Sequence, residues 1–417
     1  MTVARPNIAR NSALDIAGIR ATRAIVDLDA IEGNLRAVRA ELPETCQLMA
    51  VVKADGYGHG APWVARAALD AGAALLGVAT VEEGQILRAH GIAASIVLLG
   101  SITPDEAQAA CRTALEITVA DEDLLDAVQS AARAFHAESP IPVHLKIDTG
   151  LRRYGATPAA AVALATRITT DPHLCLASVF THFASADEPN ERFTDEQLSE
   201  FAATVERISA AGVPLPPLHA ANSAGVLTGR GTEYAIARLG IALYGLPPSA
   251  EVPLKHGMRA AMSLESRITR LIPLLPGNTV GYNRTFRASA PMLGALVPIG
   301  YADGYRRSLS GRAWVGISGR SAPVLGRVSM DQIVVEIPKK VRAQVGETVQ
   351  VFGADPASGA PTIEELAELM DSNVYEVVVG IRGRVPRVFI RGGAPIGVRI
   401  AGDAAVPGPG VSDRDRY

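Results

Sequence analysis

A (β/α)8 barrel of the TIM type followed by a mostly antiparallel β domain is the fold predicted by this 417-residue sequence. Three observations predict it. Eight short apolar runs recur between residues 47 and 240, with stretches of helical spacing between them. After roughly residue 260 strand-like runs follow one another across Gly/Pro turns, the texture of antiparallel sheet. The length exceeds one ordinary domain, and a barrel plus a second domain accounts for it.

The eight runs are QLMAVVK (47–53), ALLGVA (74–79), SIVLLG (95–100), LEITVA (115–120), PVHLKID (142–148), LCLASVFTH (174–182), PLHAA (217–221) and AIARLG (235–240). The seventh has the shortest core and follows a Pro-rich stretch. Between the runs, ITPDEAQAACR offers Thr103 as N-cap, Pro104 at the first helical position and Glu106 closing a capping box. ATVEEGQILRAH and TPAAAVALATRI carry apolar residues at helical spacing. The later strand candidates are SRITRLIPLL, LGALVPIG, AWVGI, APVLGRV, DQIVVEI and ETVQVFG, interrupted by a helix in TIEELAELM that Thr362 and Glu365 cap. The expected division is an N-terminal extension at 1–22, the barrel at 23–260, the β domain at 261–400 and a flexible tail at 401–417.

Composition narrows the class. Hydrophobic residues make up 48%, charged residues 20%, and the net charge is -3, so no basic face for nucleic acid or anionic lipid is expected. No window approaches the roughly 18 apolar residues of a membrane span, and the N-terminal segment lacks the apolar core of a secretory signal. Cys46, Cys111 and Cys175 are few, far apart and without metal-ligand spacing; they read as reduced packing residues. The expectation is a soluble cytoplasmic protein without a metal.

In such a barrel the chemistry is built where strands finish. The first run ends on Lys53, inside AVVKADGYGHG. The fifth carries Lys146 and Asp148, the sixth ends at His182, the seventh leads through His219 to Asn222 and Ser223, and the eighth carries Arg238 before Gly240 and Ile241. Singly, each has a bland explanation: a solvated lysine, a capped turn, half an ion pair. Together they converge on one rim, with small residues after strands seven and eight, where barrels commonly hold phosphate. A lysine, a phosphate site and an aromatic loop point to pyridoxal 5'-phosphate attached through the lysine amine, whose ammonium form a dry site disfavours.

At this point the residues resemble the alanine racemase family. AVVKADGYGHG is similar to its cofactor-attachment signature, and VDLDAIEGN, HLKIDTGLRRYG, FTHFASADE, HAANSAG, ARLGIALYGL, VGYNRTF, PIGYADGYRR, GRVSMDQ and NVYEV follow in the family's order over about residues 23–390. The resemblance implies a pyridoxal-phosphate racemase that works as a head-to-tail homodimer on alanine. It implies that Lys53 carries the cofactor and is one base, and that Tyr282 is the second base, reaching the site from the partner subunit. Tyr57, Ser223, the backbone of Gly240 and Ile241, and Tyr375 would hold the phosphate, with Asn222 alongside. Arg238 would face the pyridine nitrogen within a network containing His182 and His219. Arg153 would contact the substrate carboxylate or the cofactor's phenolic oxygen, oriented by Lys146, which is carbamylated in many members. Tyr301, Met330 and Asp331 would come from the partner subunit to shape the entrance and the carboxylate site.

The chemistry agrees with these assignments. Racemisation removes a proton from one face of Cα and returns it to the other, so two opposed bases are needed. Tyrosine titrates near pH 10, so Tyr282 needs a basic or cationic neighbour, for which His182 is the candidate. Arginine acts only as a donor, so Arg238 restrains protonation of the ring nitrogen and with it transamination.

The sequence departs from the family pattern at Asp55-Gly56, where Asn-Ala is frequent, at Leu151 and Arg152 in GLRRYG, and at Ser329 in VSMDQ. These changes keep every catalytic group and bear on substrate width. A racemase acting on serine as well as alanine is therefore an alternative, since one hydroxymethyl is worth only about 1–3 kcal/mol. A barrel-type pyridoxal-phosphate decarboxylase would lack Arg238 and would use a late cysteine, yet Cys175 is the last cysteine. A single-barrel cofactor carrier would lack Tyr282 and the β domain.

Overall fold

The computed structural model describes residues 18–135, 139–190, 192–400 and 406–407. The chain divides into two compact units, one formed by Ala30–Arg259 and the other by the segments on either side, up to Asp29 and from Ala260. Strand β1 (Arg23–Asp27) opens the chain order and belongs to the second unit. The barrel unit then contributes β2 (Gln47–Val51), β3 (Leu75–Val78), β4 (Ser95–Leu98), β5 (Glu116–Val119), β6 (Ile141–Lys146), β7 (Leu174–Phe180), β8 (Leu218–His219) and β9 (Ile236–Leu239).

These eight strands pair in parallel in the order β8-β7-β6-β5-β4-β3-β2-β9. The ring closes where the Arg238 N–H on β9 donates to Ala221 O, just beyond β8, at 3.1 Å. The expected barrel is thus present, and β8, the shortest run in the sequence, is its shortest strand. Each connection obeys local chemistry. Thr80 and Glu83 form a capping box on the helix Val81–Ala89, Thr103 and Glu106 another on the 3-10 turn Pro104–Glu106, and Thr157 caps Pro158–Thr170. Inside, Met49, Val97 and Ile236 pack together with Leu75 and Leu99. Cys46 and Cys111 are buried as expected, but Cys175 is exposed, because it takes an outward position on β7.

In the second unit the expected antiparallel texture holds with one exception. β1 pairs antiparallel with Met262–Arg267 and parallel with Arg387–Arg391, so residues 23–27 join this sheet, and the barrel unit begins at Ala30 where it was expected from residue 23. Its alternating half-buried pattern marks a strand without saying which sheet receives it. SRITRLIPLL, read as one run, is two strands, Met262–Arg267 and Arg270–Leu274. The break falls at Ile268, whose backbone bonds to Glu347 O and Gly346 N, before Thr269 turns to Leu296 O. Gly392 and Gly393, with φ of 56° and 75°, make the tight turn between Arg387–Arg391 and Ala394–Arg399. Thr362 and Glu365 cap the helix Ile363–Leu369 as expected. The expected extension and tail lie outside the described residues except for 18–22 and the pair Val406–Pro407, which ladders with Gly397 and Val398.

Candidate active site

Lys53 follows β2 and begins an unusual turn. Ala54, Asp55, Gly56 and Tyr57 all have positive φ, between 51° and 61°, so the chain makes one left-handed helical turn. Such conformations cost L-residues roughly 1–2 kcal/mol each and persist only when held from outside. Here Glu83 holds it. One carboxylate oxygen accepts the Ala54 N–H at 2.7 Å while the other accepts the Ala79 N–H at 2.7 Å. Asp55 accepts the Ala61 N–H at 3.0 Å, which ties the turn to the next helix. Burial, then the charge of Arg153, pushes the Lys53 ammonium below its ordinary pKa, with Glu83 opposing. The ammonium is thus less favoured here than on a free lysine.

Lys146 closes β6, with its Nζ 4.4 Å from the centre of the Tyr154 ring. Burial first, then Arg153 and Arg238, lower its ammonium to about 7 against the pull of Asp148. Arg153 is exposed and acts on both lysines. Asp148 accepts the Gly150 and Arg152 N–H groups at 2.8 and 3.1 Å and so folds the loop that carries Arg153.

Arg238 is 3% exposed on β9. It donates to His219 Nδ1 at 2.7 Å and to the carbonyls of Thr181 and Ala220, both at 2.8 Å; His182 Nδ1 stands 3.3 Å from the same guanidinium. Burial lowers the guanidinium to about 9, which still leaves it a cation at neutral pH. Burial, then the Arg238 charge, keeps both His182 and His219 well below the ordinary histidine value, hence neutral. Phe180 stacks on His219 with ring centres 4.5 Å apart and completes the wall.

After β8, Asn222 caps the helix Ser223–Thr228 by accepting the Gly225 N–H at 3.0 Å. Ser223 Oγ accepts the Gly240 N–H at 2.9 Å and the Ala242 N–H at 3.3 Å, which draws the turns after β8 and β9 together. A Cβ on Gly240 would stand 2.9 Å from the Tyr57 hydroxyl and 3.5 Å from Ser223 Oγ. The Tyr57 and Ser223 hydroxyls therefore converge on the Gly240 backbone, which only glycine leaves uncovered.

The remaining sequence-predicted residues belong to the second unit. Tyr282 opens a short 3-10 turn after Gly281, whose φ is 74°, and its side chain is 68% exposed. Tyr301 and Met330 are exposed too, and their segments are joined: the Tyr301 and Ala302 N–H groups donate to Ser329 O and Met330 O at 3.1 and 2.9 Å. Gly300 permits this approach, since a Cβ there would come within 2.3 Å of both carbonyls. Asp331 accepts from Arg384 at 2.6 Å. Tyr375 is half-buried in the helix Val374–Val379.

Two residues of this arrangement escaped the sequence reading. Glu83 holds the turn after Lys53, and the T-x-x-E spacing of its capping box was the available signal. Asp303, fully buried inside GYADGY, accepts from Arg20 at 2.5 Å, from Arg384 Nε at 2.7 Å and from the Gly300 N–H at 2.9 Å. It thereby fixes both the Tyr301 turn and the arginine that holds Asp331. Among the described residues no group of His, Cys, Asp and Glu could hold a metal, and no helix is long and apolar enough to cross a membrane.

Comparison with known proteins bears on the whole chain. Residues 26–248 match the alanine racemase N-terminal domain and residues 261–389 the alanine racemase C-terminal domain. An alanine racemase of Symbiobacterium thermophilum is 41% identical over 376 residues, covering 90% of this chain and 99% of that protein. Among solved structures, an alanine racemase of Clostridium difficile aligns with a TM-score of 0.86 at 31% identity, covering 92% of this chain and 99% of that one. The Bacillus anthracis alanine racemase with bound L-Ala-P aligns with a TM-score of 0.85 at 34% identity, covering 91% and 98%. With both domains matched in order and a barrel rim that gathers the lysine, arginine and histidines of the sequence motifs, the chain belongs to the alanine racemase family.

Proposed function

We propose that the chain interconverts L- and D-alanine with pyridoxal 5'-phosphate at the C-terminal rim of the barrel, as a cytoplasmic homodimer that supplies D-alanine for peptidoglycan. The residues fit the cofactor. Lys53 offers an amine whose charged form is disfavoured, and the Tyr57 and Ser223 hydroxyls converge on a Gly240 backbone that no side chain covers, the kind of cradle a phosphate takes. Lys53 Nζ would hold the cofactor; Tyr57, Ser223, the Gly240–Ile241 backbone and Tyr375 would hold its phosphate. Asn222 keeps Ser223 in place through its cap. When bound, the cofactor supplies an electron sink that renders the substrate α-proton removable.

The chain's own residues then divide the work. Lys53 Nζ takes or returns the proton on one face of the substrate Cα, and the phenolic oxygen of Tyr282 from the partner subunit does so on the other. Neutral His182 offers the Tyr282 phenol a hydrogen-bond acceptor, and the Arg238 cation behind it favours the phenolate that a tyrosine needs to act near pH 7. Arg153 meets the substrate carboxylate or the cofactor's phenolic oxygen, with Lys146 orienting it. Tyr301, Met330 and Asp331 of the partner close the carboxylate side.

The observation that carries this reading is the buried Arg238, whose guanidinium is fixed by His219, Thr181 O and Ala220 O. A group that donates but does not release a proton toward the ring favours proton exchange over transamination. The test is α-proton exchange in D2O, followed by NMR and chiral analysis, for the full chain with pyridoxal phosphate and L-alanine or L-serine. Deuterated, racemised alanine is expected. Comparable turnover of serine would widen the substrate class, and carbon dioxide release without exchange would refute racemisation.

A further inference from the structure

One polar file runs through the barrel wall from end to end. It starts at Glu116, the first residue of β5, and passes His144 on β6, Ser178 on β7 and His219 at the end of β8 to reach Arg238 on β9. The links are Glu116 Oε2 to His144 Nε2 at 2.8 Å, His144 Nδ1 to Ser178 Oγ at 2.6 Å, Ser178 Oγ to His219 Nε2 at 2.8 Å, and His219 Nδ1 to Arg238 at 2.7 Å. His144, Ser178 and His219 are at most 1% exposed, so water does not substitute for any link.

The chemistry of its two ends gives the file a direction. Arginine only donates, so His219 Nδ1 is the acceptor and its proton sits on Nε2. That proton goes to Ser178 Oγ, the hydroxyl proton goes on to His144 Nδ1, and His144 keeps its proton on Nε2, facing Glu116. Burial alone would raise the Glu116 carboxyl, but hydrogen bonds from His144 and Ser95 and the charge of Arg88 hold it below its ordinary value, so it accepts. Each group thus donates away from Arg238. Were His144 to carry its proton on Nδ1, Ser178 would turn its hydrogen to His219 Nε2. The His219 proton would then move to Nδ1 and confront the Arg238 N–H donor at 2.7 Å.

We propose that Glu116 and His144 are positioning residues for the racemase site: the carboxylate at the N-terminal end of the barrel sets one tautomer along the file and so locks the orientation of Arg238 at the other end. This rests on the reading that Arg238 faces the cofactor ring. The barrel wall then supplies more than a frame, because a group on the face opposite the active site holds its electrostatics through four hydrogen bonds.

The test begins with histidine 15N NMR on the full-length protein, with and without pyridoxal phosphate. His144 and His219 are expected to be neutral with the proton on Nε2; a proton on Nδ1 of either ring, or an imidazolium, overturns the proposal. Arg238 still holds His219 on its Nε2 tautomer in Glu116→Gln, but the amide accepts or donates equally, so the His144 tautomer is expected to become mixed. The kcat for alanine should fall roughly 2- to 30-fold, with KM little changed, and Glu116→Asp should restore part of it. Ser178→Ala, which cuts the file without altering a charge, should lose kcat in the same range and serves if Glu116→Gln folds poorly. Retention of the wild-type tautomers and kcat in Glu116→Gln or Ser178→Ala overturns it. A protein that fails to racemise alanine at all would refute the functional reading, while the tautomers measured without cofactor would still decide the file.

Discussion

Substitution of Asp303 by asparagine tests whether a buried carboxylate organises the Tyr301 and Asp331 segments of the second unit. Asp303 is fully buried and accepts from Arg20 at 2.5 and 2.9 Å, from Arg384 at 2.7 Å and from the Gly300 N–H at 2.9 Å. An amide keeps one acceptor oxygen and turns its own N–H donors toward donors that need a charge. Breaking a buried pair costs about 3–5 kcal/mol. Both arginine side chains are partly exposed, 27% and 42%, and regain water when released, so the lower end applies. With about 2–4 °C per kcal/mol for a unit of this size, a loss of about 3 kcal/mol lowers Tm by roughly 6–12 °C. Arg384 also holds Asp331, so KM for alanine should rise more than kcat falls. The assay is thermal unfolding by circular dichroism together with steady-state kinetics. A Tm within about 2 °C of the wild type, or an unchanged KM, would refute the reasoning.

Three other outcomes are expected. Lys146 becomes a neutral amine as pH rises through about 7, so its nitrogen should add to carbon dioxide and lose a proton above that pH, and the carbamate should disappear below it; absence of a carbamate signal in 13C-bicarbonate NMR at pH 8 would count against it. Tyr282→Phe should slow racemisation and α-proton exchange of L-alanine by about 10²–10⁴-fold, yet leave D-alanine exchanging in D2O through Lys53; equal loss of exchange for both enantiomers would contradict the two-base assignment. Gly240→Ala should weaken pyridoxal phosphate binding by about tenfold or more, since its Cβ falls 2.9 Å from the Tyr57 hydroxyl, and an unaltered Kd by fluorescence titration would remove Gly240 from the phosphate site.

The fold was legible where burial forces a pattern. The barrel strands show as apolar runs because both their faces are covered, and the polar residues show because an apolar run that ends on Lys53 or carries Arg238 inside it needs a reason. The partner of β1 was not legible, because alternation in RAIVD reports one buried face and is silent on which sheet supplies the neighbours. The supporting polar residues were hidden for a related cause. Glu83 reads as half of a helix cap, Ser178 as one polar residue in an apolar strand and Asp303 as a turn residue; only distance shows that the first clamps the turn after Lys53 or that the last gathers Arg20 and Arg384. Periodicity encodes which face of an element is dry, and it carries no information on which polar atoms from distant elements meet there.

The membership of β1 in the second unit has a consequence for how the chain is made. Ala24 on β1 pairs in register with Leu264 on one side and Arg387 on the other, so the earliest described strand gains one neighbour midway through synthesis and waits for its second until near the end. The barrel unit is one continuous segment, Ala30–Arg259, and Asn34 secures its two ends by bonding both the N–H and the carbonyl of Arg259 at 2.9 and 3.0 Å. It can therefore complete its parallel ring while the rest is still being translated, whereas the β unit must close the chain's longest loop before its sheet gains a middle. The last part of the β unit to be synthesised thus decides when β1 stops being a sheet edge, and a chain truncated before Arg387 would carry a finished barrel and a β1 paired on one side only.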